Sequence, residues 1–172
     1  MSTAFAHSGR TRLRRKAQDQ RGVAAIEFAL VFVVLFGVLY GLATFGAVLY
    51  IQQTVTRASE EGARAVGLLT PAPTSNDPEV KNAVYDALAN SLVVPASANA
   101  SVASRRNWIV SNVTVDVTRS TPSGPGAYVR YVVTVTYPYS ANRLLPTMPL
   151  LDASRWMPDQ LQSRTTAALR SS

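Results

Sequence analysis

The chain has 172 residues, no cysteine and a single histidine. Without thiols there is no disulfide frame, no cysteine-ligated zinc and no cysteine nucleophile. That absence leaves the compartment open, because an exported protein can draw its stability from other sources. His7 stands in a polar, basic tail with no second histidine to complete a metal or acid–base pair. Charge is also missing over a long internal stretch, since residues 28–56 contain no Asp, Glu, Lys or Arg. At this length one folded domain is expected.

What charge there is lies unevenly. Residues 1–22 carry Arg10, Arg12, Arg14, Arg15, Lys16 and Arg21 against Asp19 alone, and so hold most of the chain's net charge of +7. A basic chain of pI about 10.2 raises nucleic-acid binding. That reading needs cations spread over a folded surface, whereas these sit beside an apolar run. A membrane is the partner they indicate, and no nucleic acid is expected.

From Phe28 to Ile51 the sequence runs for 24 residues without charge, with Thr44 as a small polar interruption. As an α-helix it would reach about 36 Å, enough to cross a hydrocarbon core of about 30 Å with some tilt. It has no polar face of the kind that marks a helix of a soluble protein. Six cations precede the run, while Arg57 and Arg64 follow it within twenty residues. The positive-inside rule therefore expects a cytoplasmic N-terminus and an extracytoplasmic chain from about residue 52. An ordinary signal peptide has a shorter apolar core and a small-residue cleavage site, which this run lacks.

The junction of tail and span reads RGVAAIEFALV, with Glu27 at the mouth of the apolar run. A carboxylate there either stays at headgroup level near a helix N-terminus or must find a partner. The block Arg21–Leu30, the GAVLYIQQ stretch of residues 46–53 and Ala58-Ser59-Glu60-Glu61-Gly62-Ala63-Arg64-Ala65 resemble the TadE-like minor pseudopilins of the tight-adherence (Flp) pilus system. The resemblance covers residues 21–67 and implies a basic leader cut by a prepilin peptidase between Gly22 and Val23. It makes Glu27 the fifth residue of the mature chain and Phe28 the sixth. One departure is visible: relatives often carry a proline several residues into the span, where this chain reads Val31-Phe32-Val33-Val34.

Cutting there would remove all six cations of the tail and create an α-amino group on Val23, with an unperturbed pKa of about 7.7 to 8.0. Buried among packed apolar helices, that ammonium needs a counter-charge, because buried ions are tolerated only as pairs. The resemblance assigns that role to Glu27 of an adjacent subunit. Gly37 and Gly41 form a small-xxx-small step, which Ala43, Gly46 and Ala47 are expected to continue as a smooth packing patch.

Helical spacing persists beyond the span. Val48, Ile51, Val55, Ala58, Gly62, Ala65 and Leu69 recur every three or four residues, and Glu60 and Arg64 have the spacing of an ion pair. This seam serves either a partner helix or the chain's own C-terminal domain. Pro71, Pro73 and the polar residues 74–77 end the helix. Asp77-Pro78-Glu79 has the features of a new helix start, running to about Ser91 with Val80, Val84, Ala87, Leu88 and Leu92 on one face. Residues 95–104 read as an Ala/Ser-rich connector. Val113, Val115 and Val117, then Val129, Tyr131, Val133, Val135 and Tyr137, alternate as two strands of a hairpin around residues 120–126. Residues 161–170 fit a short strand or a helix.

The expected fold is thus α+β. A basic leader occupies 1–22, a transmembrane and stalk helix 23–69, and a small extracytoplasmic domain with a second helix and a hairpin or small antiparallel sheet 70–172. Asp116, Asp152 and Asp159 are too scattered for a calcium loop, and residues 123–126 lack the Lys-Ser/Thr ending of a phosphate loop. No catalytic residue, metal or cofactor is expected, and the chain does not read as an enzyme. The expected role is that of a processed structural component needed to assemble or start a Flp pilus in adhesion or secretion. Its partners would be other pilins and pseudopilins, the prepilin peptidase, the assembly platform in the bacterial cytoplasmic (inner) membrane and lipid. The competing reading is an unprocessed single-span anchor carrying a periplasmic binding or accessory domain.

Overall fold

The computed structural model describes residues 10–121, 128–145 and 157–170. The first helix, α1, is unbroken from Arg10 to Leu68. No proline interrupts it. Then come α2 (Pro78–Ala89), a 3₁₀ turn (Ala96–Ala98), α3 (Val102–Asn112) and three strands, β1 (Thr114–Ser120), β2 (Tyr128–Tyr137) and β3 (Leu161–Arg170). The fold is α+β with a long N-terminal helix. Contacts divide the chain into two units on either side of the Ala43–Thr44 bond.

In the unit that begins at Thr44 the strands form an antiparallel sheet with β2 in the centre. Alternation puts Val115, Val117, Val129, Tyr131, Val133, Val135 and Tyr137 on one buried face, as the sequence pattern requires. The opposite face is polar and open. Because an isolated hairpin is marginal, the apolar face must be covered. The C-terminal part of α1 and the helices α2 and α3 cover it.

The seam on α1 is resolved in favour of the chain's own domain. Ile51, Val55, Ala58 and Val66 are buried in the same core as Val84, Leu88, Val133 and Val135. Gly62 marks the closest approach: a β-carbon there would lie 2.5 Å from Val84 Cγ2 and 3.0 Å from Val133 Cγ1. Glycine lets α1 pass close to both α2 and β2 without displacing these methyls. The last turn departs slightly from the expected seam, with Val66 rather than Ala65 fully buried. Arg64 reaches Glu61 at 3.8 Å instead of Glu60, an exposed pair of little energetic weight.

The start of α2 follows its sequence signals. Asp77 caps the helix by accepting from the Glu79 N–H at 2.9 Å, and Pro78 fills the first position, where no N–H is needed. The helix stops at Ala89 rather than near Ser91, so Leu92 lies beyond it and is 58% exposed. The connector expected over 95–104 holds instead the 3₁₀ turn and the start of α3. Ser101 caps α3 by accepting from the Ser104 N–H at 3.1 Å. Arg106 then pairs with Asp86 at 2.6 Å and donates to Asn82 at 2.9 Å, tying α3 to α2. Arg105 donates to the Ala89 carbonyl at 2.7 Å.

Two buried tyrosines complete the core by donating to backbone carbonyls, Tyr131 to Pro73 and Tyr137 to Val93. Burial pushes the Tyr137 phenol up to about 12, with a smaller contribution from Tyr139. The loop residues 122–127 and the proline-punctuated segment 146–156, with Leu150, Leu151, Asp152 and Trp156, lie outside the described residues.

Candidate functional site

The sequence placed the functional residues at the tail–span junction and along the span. Gly22, Val23, Glu27 and Phe28 all lie on α1 and all are exposed. Glu27 has no ion-pair partner among the described residues. From Gly22 to Leu68 the helix has 47 residues, and its most apolar stretch has a mean hydropathy of 2.6 with none of it buried. It is long and apolar enough to cross a membrane. A surface of this kind is unfavourable in water over its whole length, while lipid tails satisfy it and α1 supplies every backbone hydrogen bond itself.

The span carries an aromatic file that sequence reasoning missed. Phe28, Phe32, Phe36 and Tyr40 stack one turn apart, with ring centroids at 6.1, 6.1 and 6.4 Å. The signal was the spacing of four, which brings side chains over one another on a helix. Phe28, which the sequence reading expects in a processing motif, opens this file.

Gly37, Gly41 and Gly46 each have open space where a β-carbon would stand. They do not form one patch. At about 100° per residue, Gly41 lies about 40° round the helix from Gly37, but Gly46 lies about 180° from Gly37. A partner helix seated on the Gly37–Gly41 step therefore does not also meet Gly46.

Within the unit that begins at Thr44, the helix is fastened to β3 by polar contacts the sequence reading also missed. Ser59 is fully buried, and its hydroxyl lies 3.0 Å from Ser163 Oγ, 2.7 Å from Thr165 Oγ1 and 2.8 Å from the Thr56 carbonyl oxygen. Gln52 donates to the Gln162 carbonyl at 3.1 Å. Tyr50 accepts from the Leu92 N–H at 3.2 Å. The signal for the Ser59 contact would have been a hydroxyl beside Ala58 on the seam, matched by hydroxyls at alternate positions of β3.

A groove of about 680 Å³ runs between α1 and α2, lined by Tyr50, Arg57, Glu61, Asp86 and Asn90 among others. Its charges are mixed, and Asp86 is already engaged by Arg106. Among the described residues no three His, Cys, Asp or Glu side chains cluster as metal ligands. Asp116 and Asp159 are surface residues of β1 and of the turn before β3.

Compared with known families, residues 22–64 match the model of the TadE-like protein family. The match takes in 43 of the 172 residues, beginning at Gly22 and covering the span and the helix turns that enter the core. It supports a pilus-associated role of the minor-pilin kind, in agreement with the resemblance read from the residues. No curated protein and no solved structure matches the chain.

Proposed function

We propose that this chain is a TadE-like minor pseudopilin of a tight-adherence pilus, inserted in the bacterial inner membrane and trimmed between Gly22 and Val23. The observation that carries the proposal is the start of the family match at Gly22, immediately after the basic tail and immediately before a span that ends in a folded α+β unit. Glycine is also the weakest helix residue in this stretch, about 1 kcal/mol less favourable than alanine, which favours local opening for a peptidase. Trimming leaves an ammonium on Val23 and a carboxylate on Glu27 at the head of an apolar helix. In a bundle of such helices, Glu27 of one subunit neutralises the terminal amine of its neighbour and so sets the axial register.

The N-terminus faces the cytoplasm and the α+β unit faces outward. Phe28 completes the recognition motif, and Gly37 with Gly41 offers a close-packing face to neighbouring helices, Gly46 a second one. The prepilin peptidase, the assembly platform and other pilins are the partners this role requires.

The test is mass spectrometry of the protein extracted from its native membrane. A mature N-terminus at Val23 supports the proposal, while a chain that retains Arg10–Arg21 in a functioning pilus system overturns it and favours the permanently anchored periplasmic domain. With trimming established, Glu27→Ala is expected to leave membrane insertion intact and to impair incorporation into the pilus. Unchanged assembly in that variant removes the pairing role from Glu27.

A further inference from the structure

The two edges of the sheet are treated differently. On the β1 side, Asn76 takes the left-handed conformation (φ 56°), its N–H donates to the Val117 carbonyl at 2.8 Å, and its side chain accepts from the Val117 N–H at 3.1 Å. Ser75 accepts from the Arg119 N–H at 3.2 Å. The loop before α2 thus covers that edge. It also fixes the hydrogen-bond phase of the sheet. The odd-numbered residues of β1 point their backbone N–H and C=O groups away from β2, so its even-numbered residues bond to β2, and the odd-numbered residues of β2 bond to β3. The even-numbered residues of β3 therefore point their N–H and C=O groups away from the sheet, and the Gln52 bond to the Gln162 carbonyl agrees.

Beyond Gln162, no described group bonds to the outward N–H and C=O of Arg164, Thr166, Ala168 or Arg170. Sheet proteins blunt such an edge with proline, a bulge, charged side chains or a covering helix or loop. β3 has no proline and pairs with β2 without a bulge over its ten residues, and the charges it carries, Arg164 and Arg170, are both cations. Its even-numbered side chains are exposed on the open face, where Arg164 and Arg170 join Arg130, which sits opposite Ala168. Asp116, beyond Thr134 from Arg164, is the one acid on this face among the described strand residues.

We propose that the outer edge of β3 is a docking site for an extended, acid-bearing strand of another polypeptide, which adds to the sheet as a fourth strand and sets carboxylates against Arg164 and Arg170. Backbone bonds supply the attachment and the arginines the selectivity, as in other strand-addition modes of recognition. A second copy of this chain paired through the same edge fits poorly, because β3 carries two arginines and no acid to set against them. α1 runs alongside β3 in the same direction, with Gln52 at Gln162 and Ser59 at Thr165. The site stands on the α+β unit alone and does not depend on trimming at Gly22.

The experiment uses the full chain in detergent micelles and two end-blocked ten-residue peptides, one alternating valine with glutamate and the other valine with lysine. The glutamate peptide is expected to slow amide exchange at Arg164, Thr166, Ala168 and Arg170, to leave Val117 and Arg119 unchanged, and to bind on the order of tenfold tighter than the lysine peptide. Thr166→Pro removes an outward N–H without touching a bond to β2, and should abolish binding while the unit still melts cooperatively. Should that variant fail to fold, Arg164→Glu with Arg170→Glu decides, since both side chains are exposed and the preference should pass to the lysine peptide. Unaltered exchange at the four amides, equal binding of the two peptides, or protection of the same amides by self-association without peptide would each overturn the proposal.

Discussion

The residues before Ala43 and those after Thr44 use apolar side chains in opposite ways. Before the boundary, Phe28, Leu30, Val31 and Val33 are between 65% and 70% exposed, and the helix satisfies only its own backbone. After it, Ile51, Val55, Val84, Val133 and Tyr137 are fully buried against one another. The same chemistry therefore means solvent selection in one region and internal cohesion in the other. A substitution should be read as a change in what the span meets or as a change in how the unit holds together, and the two can be told apart by experiment.

The largest effect is expected at the proposed processing site of the first region. Gly22→Leu places a bulky residue at the proposed cut and should abolish trimming, leaving a chain longer by the leader on mass spectrometry while the melting of the α+β unit is unaltered. A Gly22→Leu chain that is still trimmed at Val23 would remove the glycine from the motif.

Next in size are changes to the second region. Tyr137→Ala deletes a fully buried ring that touches Trp108, with centroids 6.1 Å apart, and that donates to Val93. A loss of about 3–5 kcal/mol is expected from thermal or denaturant unfolding of the full chain in detergent, with trimming unaffected. The same residue gives a pH signature. Its phenol is raised to about 12 by burial, whereas the unfolded phenol titrates near 10. Between those values the folded state holds the proton more tightly, so stability falls as pH rises from about 10 to about 12 and levels off above. Tyr85 is raised too, by burial and then by Asp116, with Arg106 opposing, and adds to the fall. Tyr137→Phe should flatten most of this slope. An unchanged slope would mean that another group carries it.

Two glycines sharpen the contrast at smaller scale. Gly62→Ala inserts a methyl into a space already taken by Val84 and Val133. The gain in helix propensity of about 1 kcal/mol is offset by overpacking, and a net destabilisation of about 1–3 kcal/mol is expected. Gly41→Ala meets nothing within 4 Å and should leave the unit's melting unchanged. Any cost of that variant should appear only in assembly, where the helix meets neighbours. Equal melting of the two variants would erase the distinction between the regions.

How far these regions were legible follows from how each one signals. An apolar helix in lipid needs only length and the absence of charge, so the span could be read from residues 28–51 directly. Alternation likewise exposed β1 and β2, because one wet and one dry face force a period of two. α3 was missed because its helical face buries little, Ile109 fully and Trp108 in part, and its arginines bond to α2 rather than mark a pattern. β3 stayed ambiguous because Ser163 and Thr165 face the core as hydroxyls that bond to Ser59, so apolar alternation is weak where polar contacts replace it. The proposed processing site is a matter of residue spacing alone, and helical phase separates Gly46 from the Gly37–Gly41 step.

The smallest expected effect tests whether charge on the outer surface of α1 contributes to cohesion at all. Arg64 and Glu61 face each other at 3.8 Å, with side chains 76% and 54% exposed. Water screens such a pair, and holding two long side chains in one geometry costs entropy, so Arg64→Ala should change stability by about 0–1 kcal/mol. The alanine gains slightly in helix propensity, which pulls the net change further towards zero. If Arg64→Ala instead destabilises as strongly as Gly62→Ala, the exposed side of this helix segment is covered in the folded protein, and the division between an inward apolar seam and an outward solvated face fails there.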